Sequence, residues 1–548
     1  MRMGLYVGLD IGTTSTKVFA YDEQGNIRGS GQSGYSLLVP EPGRAEQRPD
    51  DIVRAVTEAF RLAKIASGAK AGDIAAVGVS TAMHSLMAVD GDGHPLTPLV
   101  TWADNRSAPQ IGELKRRGLD RRLYELTGTP VHPMSPLGKL LWWRENQPEM
   151  FAKAAKFISI KEYVFHRFFG TYALDISLAA ATGLLRVEGD DWCEEALEIA
   201  GVGRERLGEL MPVTQVLRGM RPEAAERCGL LPETPWIVGG SDGALANIGS
   251  GAADYRSTAV TIGTSGAVRR FAPKPVTDPQ GRTFCYAFGQ DRWLIGGPTN
   301  NGGIALRWFK EQFMPPEPPA GAGSGAGLPA QDRRQHRGRQ RSGPVRTQAA
   351  PSVSRGSFDE LIEQALSVPP GAEGLLFLPY LSGERAPHWD PSARGVFAGA
   401  GLHHERRHFA RAVLEGVLLA VDSVTSALAE LAGPPERLLA SGGFAASPGW
   451  TGLLADISGV RIDVPDTYEA SARGAAILAM LGMGAITSLD ELGGELPILR
   501  SHLPDERRRA VYERVKPVFR RLYDRLEPVF PELAALQTAP DAQRPARG

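Results

Sequence analysis

Residues 8–17 read GLDIGTTSTK, from Gly8 to Lys17. An apolar run carries a single acid, Asp10, and breaks at Gly12 into the hydroxyls of Thr13, Thr14, Ser15 and Thr16. A Walker loop would put a glycine directly before the lysine and space its glycines more widely, and a dinucleotide fingerprint would need G-x-G-x-x-G. Neither pattern fits. LYVGLDIG reads as a strand, STKVFAYD as a second, and IRGSGQSGY as a third after the turn EQGN. The chain therefore opens as a β-meander with a hydroxyl-rich turn at its first hairpin.

The pattern returns in the second half. TPWIVGGSD ends a strand in glycines and an acid, and STAVTIGTSGAVRRF is again strand, hydroxyl turn, strand. IGTS at Ile262 to Ser265 echoes IGTT at Ile11 to Thr14. Such an echo in like strand contexts points to two related halves, each presenting a hydroxyl turn. Free backbone N–H groups and hydroxyls at such turns grip phosphate oxygens. An acid at the preceding strand end can hold Mg²⁺, usually through water. On that reading Asp10 organises the metal, and Gly12, Thr13, Thr14, Ser15 and Lys17 surround phosphate. A plain hairpin turn with exposed hydroxyls reads equally well from the first motif alone.

Between and beyond these turns the periodicity is regular. Asp50 precedes DIVRAVTEAFRLAKIA, an amphipathic pattern read as a helix capped by that acid. DIAAVGVSTAMHSLMAVD is strand, loop, strand. RRHFARAVLEGVLLAVDSVTSALAEL is a long helix, LLASGGFAAS a strand running into a double-glycine turn, and EASARGAAILAMLGMG a small-residue helix suited to close packing. ERRRAVYERVKPVFRRLYDRL is a polar-faced helix near the end. Residues 315–356 are rich in Pro, Gly, Ala and Arg and offer almost nothing large and apolar, so a disordered insertion is expected there. A disordered tail is expected over 538–548. Length favours at least two domains, expected as 1–247 and 248–537.

Composition excludes more than it assigns. The 548 residues carry a net charge of -1, which gives no electrostatic argument for nucleic acid or a membrane surface. No signal peptide is apparent at the start, and no uninterrupted apolar run is long enough to cross a bilayer. Cys193, Cys228 and Cys285 are scattered without metal-ligand spacing and read as reduced thiols in a cytoplasmic protein.

Taken in order, the motifs resemble those of the FGGY carbohydrate kinases. DIGTTSTK is similar to the family's first phosphate motif, TIGTSGA to its second and ASGGFAAS to its adenosine motif. MSPLGKLLWWREN resembles a family signature, with Trp143 where an aliphatic is more usual, and LSGERAPHWDPSARGVFAGAGL resembles another. The resemblance runs from Met3 to about Ile486, apart from 315–356. Within the family STAMHS, TPLVTWADNRSA, GTPVHPMSPL, ISIKEY, GGPTNNGGI and FLPYLSGERAP are most similar to the gluconate kinases, and less so to the xylulose kinases.

The resemblance implies an α/β, two-domain actin/hexokinase-type ATPase fold with ribonuclease H-like halves and a cleft between domains. It implies ATP and Mg²⁺ as cofactors, and Asp242 in GGSDGA as the general base. A helix N-cap aspartate is the plainer reading of that position. Gly263, Thr264, Ser265, Asn301, Gly302, Gly442 and Gly443 map to the nucleotide side. His84, Ser85, Trp102, Asp104, Asn105 and Arg106 map to the sugar-contacting loops, with Arg106 the expected partner of a substrate carboxylate and Lys139 and Lys161 as further cations. Glu384 and Arg385 are expected to brace a loop. The implied activity is ATP-dependent phosphorylation of D-gluconate. A neutral-sugar kinase such as a xylulose kinase, an inactive sugar sensor and an actin-like ATP-driven clamp stay open. The expected partners are a sugar acid and ATP, with a homodimer admitted.

Overall fold

The computed structural model describes residues 4–313, 356–467, 469–492 and 496–538. The expected insertion over 315–356 lies outside the described residues except for Gly356, which opens a helix (Gly356–Leu366). The expected tail lies outside them beyond Thr538.

The opening meander forms as expected. β1 (Leu5–Ile11), β2 (Ser15–Tyr21) and β3 (Ile27–Gly34) pair antiparallel in sequence order. The register sets Asp10 opposite Lys17 at the mouth of the first hairpin. β3 reads IRGSGQSG, too small and polar to fill a core. It is glycine-rich because α1 (Pro49–Ser67) lies directly on it: a Cβ at Gly31 would stand 2.1 Å from the Ala59 carbonyl. α1 buries Ile52, Val56, Ala59 and Phe60. Asp50 is not its cap. The N-cap is Arg48 without a side-chain bond, Pro49 opens the helix, and the Asp50 carboxylate instead accepts from Tyr163 (2.8 Å) and Arg167 (2.9 Å). Pro at the first helical position displaces the boundary that the acid suggested.

β4 (Ile74–Thr81) joins β1 in parallel; β5 (Val216–Leu217) and β6 (Trp236–Ser241) complete a six-stranded sheet in the order β5-β6-β4-β1-β2-β3. β6 runs straight into α2 (Asp242–Gly249). The second sheet repeats this plan. β7 (Ser257–Ile262), β8 (Gly266–Ala272), β9 (Phe284–Gly289) and β10 (Arg292–Thr299) are antiparallel neighbours. After the long helix α3 (Arg406–Ala432), β11 (Arg437–Ser441) and β12 (Ile462–Pro465) add in parallel, and β13 (Ile498–His502) closes the edge. The order is β9-β10-β8-β7-β11-β12-β13. An antiparallel run, of three strands in the first half and four in the second, followed by two parallel strands therefore recurs in both halves, the ribonuclease H-like duplication that the two hydroxyl turns announced.

α4 (Ala470–Gly482), from the second half, packs across the first sheet. Glycines permit it, since a Cβ at Gly8 would stand 1.8 Å from the Ala472 carbonyl and one at Gly78 1.9 Å from the Ala475 carbonyl. Gly249 and Gly474 let α2 and α4 touch backbone to backbone in the same way. α3 is long and apolar enough by composition to cross a bilayer, yet 83% of its most apolar window is buried inside the protein. The three cysteines are free and buried.

Candidate functional site

The duplicated topology places equivalent residues at equivalent strand ends. In the first half Asp10 lies beside Ser80 on β4, whose Oγ donates to Oδ1 at 2.7 Å. In the second half the same position is Thr261, beside Ser441 on β11 at 2.8 Å. Each strand then turns through its hydroxyl loop. The halves thus share a scaffold, and only the first puts a carboxylate at this point.

Both turns reach one cavity of about 260 Å³. Thr13 lines it from the first turn, and Thr261, Ser265 and Gly266 from the second. Asp242, His84, Trp102, Arg269, Tyr286 and Arg385 complete the polar lining. A second cavity of about 620 Å³ is lined by Gly263, Thr264, Gly443, Phe444 and Trp450, among others. The turn Gly263–Ser265 divides them, with Gly263 and Thr264 on one side and Ser265 on the other.

That turn is rigidly held. Gly263 N–H donates to the Ser265 carbonyl (2.8 Å), Gly302 N–H to the Thr264 carbonyl (3.0 Å) and Gly303 N–H to the Gly263 carbonyl (2.7 Å). Gly302 is needed for this approach, because a Cβ would lie 2.7 Å from the Ser265 carbonyl. Asn301 is fully buried, donating to the Gly383 carbonyl (2.8 Å) and accepting from Ser382 (3.1 Å), so it ties loops together rather than facing a ligand. Gly442 sits at φ 86, where a Cβ would lie 2.6 Å from the Ile262 carbonyl. This extended, positive-φ conformation is essentially glycine-only.

On the first turn, Thr13 Oγ1 accepts from Trp102 Nε1 (2.9 Å), while Gly12 N–H donates to the Ser15 carbonyl (3.1 Å). Thr14 is exposed and its carbonyl accepts from Tyr35 N–H. Ser15 is buried in β2, where its hydroxyl accepts from Gln32 (3.0 Å). Lys17 is paired with Glu469 at 2.7 Å.

Burial pushes the Asp10 carboxyl up to about 7, and the nearby Asp242 and Glu469 charges add to the rise while Ser80 and Lys17 oppose it. Asp242 begins α2, and its Oδ1 accepts from Gly243 N–H (2.8 Å). Burial raises its pKa too, against the pull of the Arg269 guanidinium. The N-cap of α2 is Ser241, so Asp242 is not spent on capping. Two carboxylates held against burial make a donor set that suits a hard divalent cation, which would relieve both.

His84 has φ 65 and fixes its ring through the Ala181 carbonyl (2.8 Å). Burial drives its pKa down to about 3, with the Lys139 charge adding to the fall, so the ring faces the cavity neutral. Ser85 turns away into a different, small cavity, where its hydroxyl accepts from Ile160 N–H (3.4 Å). Asp104 and Arg106 are spent on each other: Arg106 Nε and Nη2 each meet Asp104 at 2.8 Å, and Nη2 meets Glu46 at 2.5 Å. Asp104 also accepts from Ala45 N–H (2.7 Å). Neither lines the cavity, and the fork expected for a substrate carboxylate is already filled. Asn105 is exposed on the same loop. Lys139 Nζ is buried against the carbonyls of His84 and Met134, and Lys161 is ion-paired with Asp175 at 2.6 Å.

The cations that do line the cavity are Arg269 and Arg385. Arg269 sits on β8 in AVRRF and gave no motif signal. It shares a strand face with buried Phe271, while Val268 points into the opposite core, and so reads as ordinary sheet. Its Nε is buried without a hydrogen-bond partner, as is the Tyr286 hydroxyl. Arg385 does brace a loop, through Asn300 Oδ1 (2.7 Å) and the Thr299 carbonyl (3.2 Å), but its guanidinium also stands over Trp102 at 5.2 Å in the cavity wall. Its neighbour Glu384 is buried, accepting from Asn300 N–H (2.5 Å) and Arg385 N–H (2.8 Å), and stays out of the cavity.

Because Arg106 and Asp104 form a buried pair, with side chains 6% and 0% exposed, truncating one strands the other. Arg106→Ala should destabilise the fold by about 3–5 kcal/mol and leave the preference between acidic and neutral sugars unchanged. A denaturant melt and paired kcat/KM values check this. A changed preference at unchanged stability would return Arg106 to the substrate.

Comparison with known proteins agrees with this geometry. Residues 5–249 match the N-terminal domain of the FGGY family of carbohydrate kinases and residues 258–483 its C-terminal domain. A gluconokinase of Bacillus subtilis (strain 168) is 40% identical over 97% of this chain and 98% of its own length. A xylulose kinase of the same strain is 30% identical over 89% of this chain and 90% of its own. Among solved structures, a gluconate kinase from Lactobacillus acidophilus superposes with a TM-score of 0.87 at 32% identity, covering 97% of this chain and all of that one. A ligand-bound xylulose kinase from the same organism gives the same figures.

Proposed function

The chain belongs to the FGGY family of carbohydrate kinases, and from that premise we propose that it transfers the γ-phosphate of ATP to D-gluconate, forming 6-phosphogluconate in the cytoplasm. It is a phosphotransferase with a sugar hydroxyl as acceptor. The observation that carries the sugar acid is the charge of the smaller cavity: one carboxylate, Asp242, against two guanidiniums, Arg269 and Arg385. Asp242 faces Arg269 and Glu384 faces Arg385, but burial raises both carboxyls, so an anionic substrate adds counter-charge that they supply only in part. A neutral ketose does not, although the xylulose kinase relatives keep that reading in view. An ATP-driven clamp has no use for such a lining.

In this reading the lobes are 1–247 and 248–537. The acceptor hydroxyl lies at Asp242, which takes its proton as the phosphoryl group moves. The phosphates lie along the two hydroxyl turns, with backbone N–H groups of Thr264 and Ser265 and of Thr13 and Thr14 around them. The nucleoside fills the larger cavity beside Gly443, where the turn at Gly442 keeps the backbone low. Asp10 and Asp242 would hold Mg²⁺, which supplies charge neutralisation on the phosphates.

Steady-state rates on a panel of aldonates, ketoses and polyols test the proposal. D-Gluconate should give the highest kcat/KM, and a preference for xylulose overturns it.

The Asp10 carboxyl gives a test that needs no turnover. Folded, it holds its proton up to about 7; unfolded, it releases it near the ordinary 3.8. Between those values the folded state binds more protons, so this group makes stability fall as pH rises. Mg²⁺ competes with that proton, so its stabilisation of the nucleotide-free protein should be small near pH 5 and larger near pH 8. Asp10→Asn should abolish the difference. Thermal melts with and without Mg²⁺ at both pH values read it, and an Asn variant that keeps the wild-type Mg²⁺ shift at each pH would remove Asp10 from the metal.

A further inference from the structure

Gly240 and Ser241, just before Asp242, pair with Ser80 and Thr81 of β4 directly after an irregularity in the ladder. The β6 ladder to β4 slips between Ile237 and Gly240, where Gly239 takes φ 78. A Cβ at Gly239 would stand 1.8 Å from the Val79 carbonyl, so the slip is built into the packing. Yet Asp242 must meet a hydroxyl in line with a phosphoryl group, and misplacement by about 1 Å can cost two orders of magnitude in rate.

A buried set of side chains secures this strand end from behind. Lys161 lies in the helix Ile160–Phe169, Asp175 ends the strand Ala173–Asp175, and Ser177 is in the short helix that follows. Lys161 Nζ donates to Asp175 Oδ2 (2.6 Å) and to the Gly240 carbonyl (3.2 Å). Ser177 Oγ donates to Asp175 Oδ1 (2.6 Å) and accepts from Ser241 N–H (2.8 Å). Leu178 N–H adds a third bond to that carboxylate (3.0 Å). The side chains of Lys161 and Asp175 are both 0% exposed. The network therefore takes hold of the C=O of Gly240 and the N–H of Ser241, the two residues before Asp242.

We propose that Lys161, Asp175 and Ser177 are positioning residues: they fix the backbone leading into Asp242 and so set the aim of its carboxylate at the acceptor hydroxyl. A buried ion pair is weak support for stability, since apolar residues of similar volume often replace one at no loss. What an apolar pair cannot do is hold a carbonyl and an N–H just beyond the slip in the strand. The inference rests on Asp242 being the base.

The mildest probe is Ser177→Ala, which removes the hydroxyl between Asp175 and Ser241. Its kcat on D-gluconate should fall by about tenfold, with KM for ATP and for the acid within about twofold of wild type and the melting temperature little changed. Lys161→Met combined with Asp175→Leu should melt near the wild-type temperature and lose at least as much kcat. If the double variant does not fold, Ser177→Ala alone carries the test. Unchanged kcat in Ser177→Ala, or a double variant with both wild-type melting and wild-type kcat, overturns the proposal and leaves a merely structural pair. Asp242→Asn is assayed beside them. Activity in that variant sinks the catalytic reading beneath, whereas an inactive Asp242→Asn with a normal Ser177→Ala sinks only the network.

Discussion

Asp242→Asn should lower kcat on the sugar acid by about 10²–10⁴ while the protein folds and binds ATP as before. The substitution is close to isosteric, and an amide oxygen can still accept from Gly243 N–H, the 2.8 Å bond that the carboxylate makes now. What is lost is the proton acceptor. Burial disfavours the charged form of Asp242, so the neutral amide also removes a desolvation cost, and stability should hold or rise. The same burial sets the pH dependence. On the proposed mechanism catalysis needs the ionised carboxylate, whose pKa lies above the ordinary 3.8. Activity should therefore fall on the acid side at a pH above that of a solvated aspartate, and the Asn variant should lack that limb. Rates from single-turnover mixing, with nucleotide affinity measured separately, check both statements. An Asn variant with the wild-type rate and the wild-type acid limb would take Asp242 out of the chemistry.

The fold was legible because its decisive elements carry strong local patterns. GLDIGTTSTK and TIGTSGA each combine a buried strand with a turn of small residues, and their likeness already implied the duplicated sheet. Small-residue runs were equally informative: EASARGAAILAMLGMG reads as a close-packing helix, and its partners Gly8 and Gly78 are where the backbone contact occurs. Asp50 shows the limit, since an acid in a helix's first turn resembles a cap until the preceding proline is seen to open the helix. Residues named from the motifs and residues lining the two cavities coincide at Gly263–Ser265 and Asp242, with Asp10 in the field of Asp242. The site was not legible for side-chain partnerships between distant segments. Arg106, Lys139 and Lys161 are cations in suggestive motifs, but Asp104, two backbone carbonyls and Asp175 already occupy them. Arg269 is the converse, an arginine in an unremarkable strand whose importance lies wholly in what fails to meet it.

The division of labour between the two cavity arginines should separate charge recognition from catalysis. Gluconate phosphorylated at its terminal hydroxyl puts its carboxylate at the end far from Asp242. Arg269 is the cation whose field acts on Asp242, which places it toward the reacting end. The Arg385 charge acts on Glu384, His84 and His132 instead, and its guanidinium lies over Trp102. On the proposed function the carboxylate would therefore meet Arg385, whose planar fork can reach both oxygens. Arg385→Gln should lose on the order of 1.5–3 kcal/mol of interaction with the acid, roughly ten- to a hundredfold or more in kcat/KM. A neutral polyol of equal length should lose far less. Gln keeps a donor for Asn300, so the loop that Arg385 braces has a substitute bond. Arg269→Gln should behave differently. It removes the cation that opposes the rise in the Asp242 pKa, so its acid limb should move to higher pH and rates should fall for acidic and neutral substrates alike. The measurement is the ratio of kcat/KM for gluconate to that for the neutral polyol, taken across pH in wild type and both variants. If Arg385→Gln leaves the ratio unchanged while Arg269→Gln collapses it, the roles are exchanged and the carboxylate sits beside the reacting end. If neither variant moves the ratio, the positive cavity does not read the acid, and the gluconate assignment loses the observation that carries it.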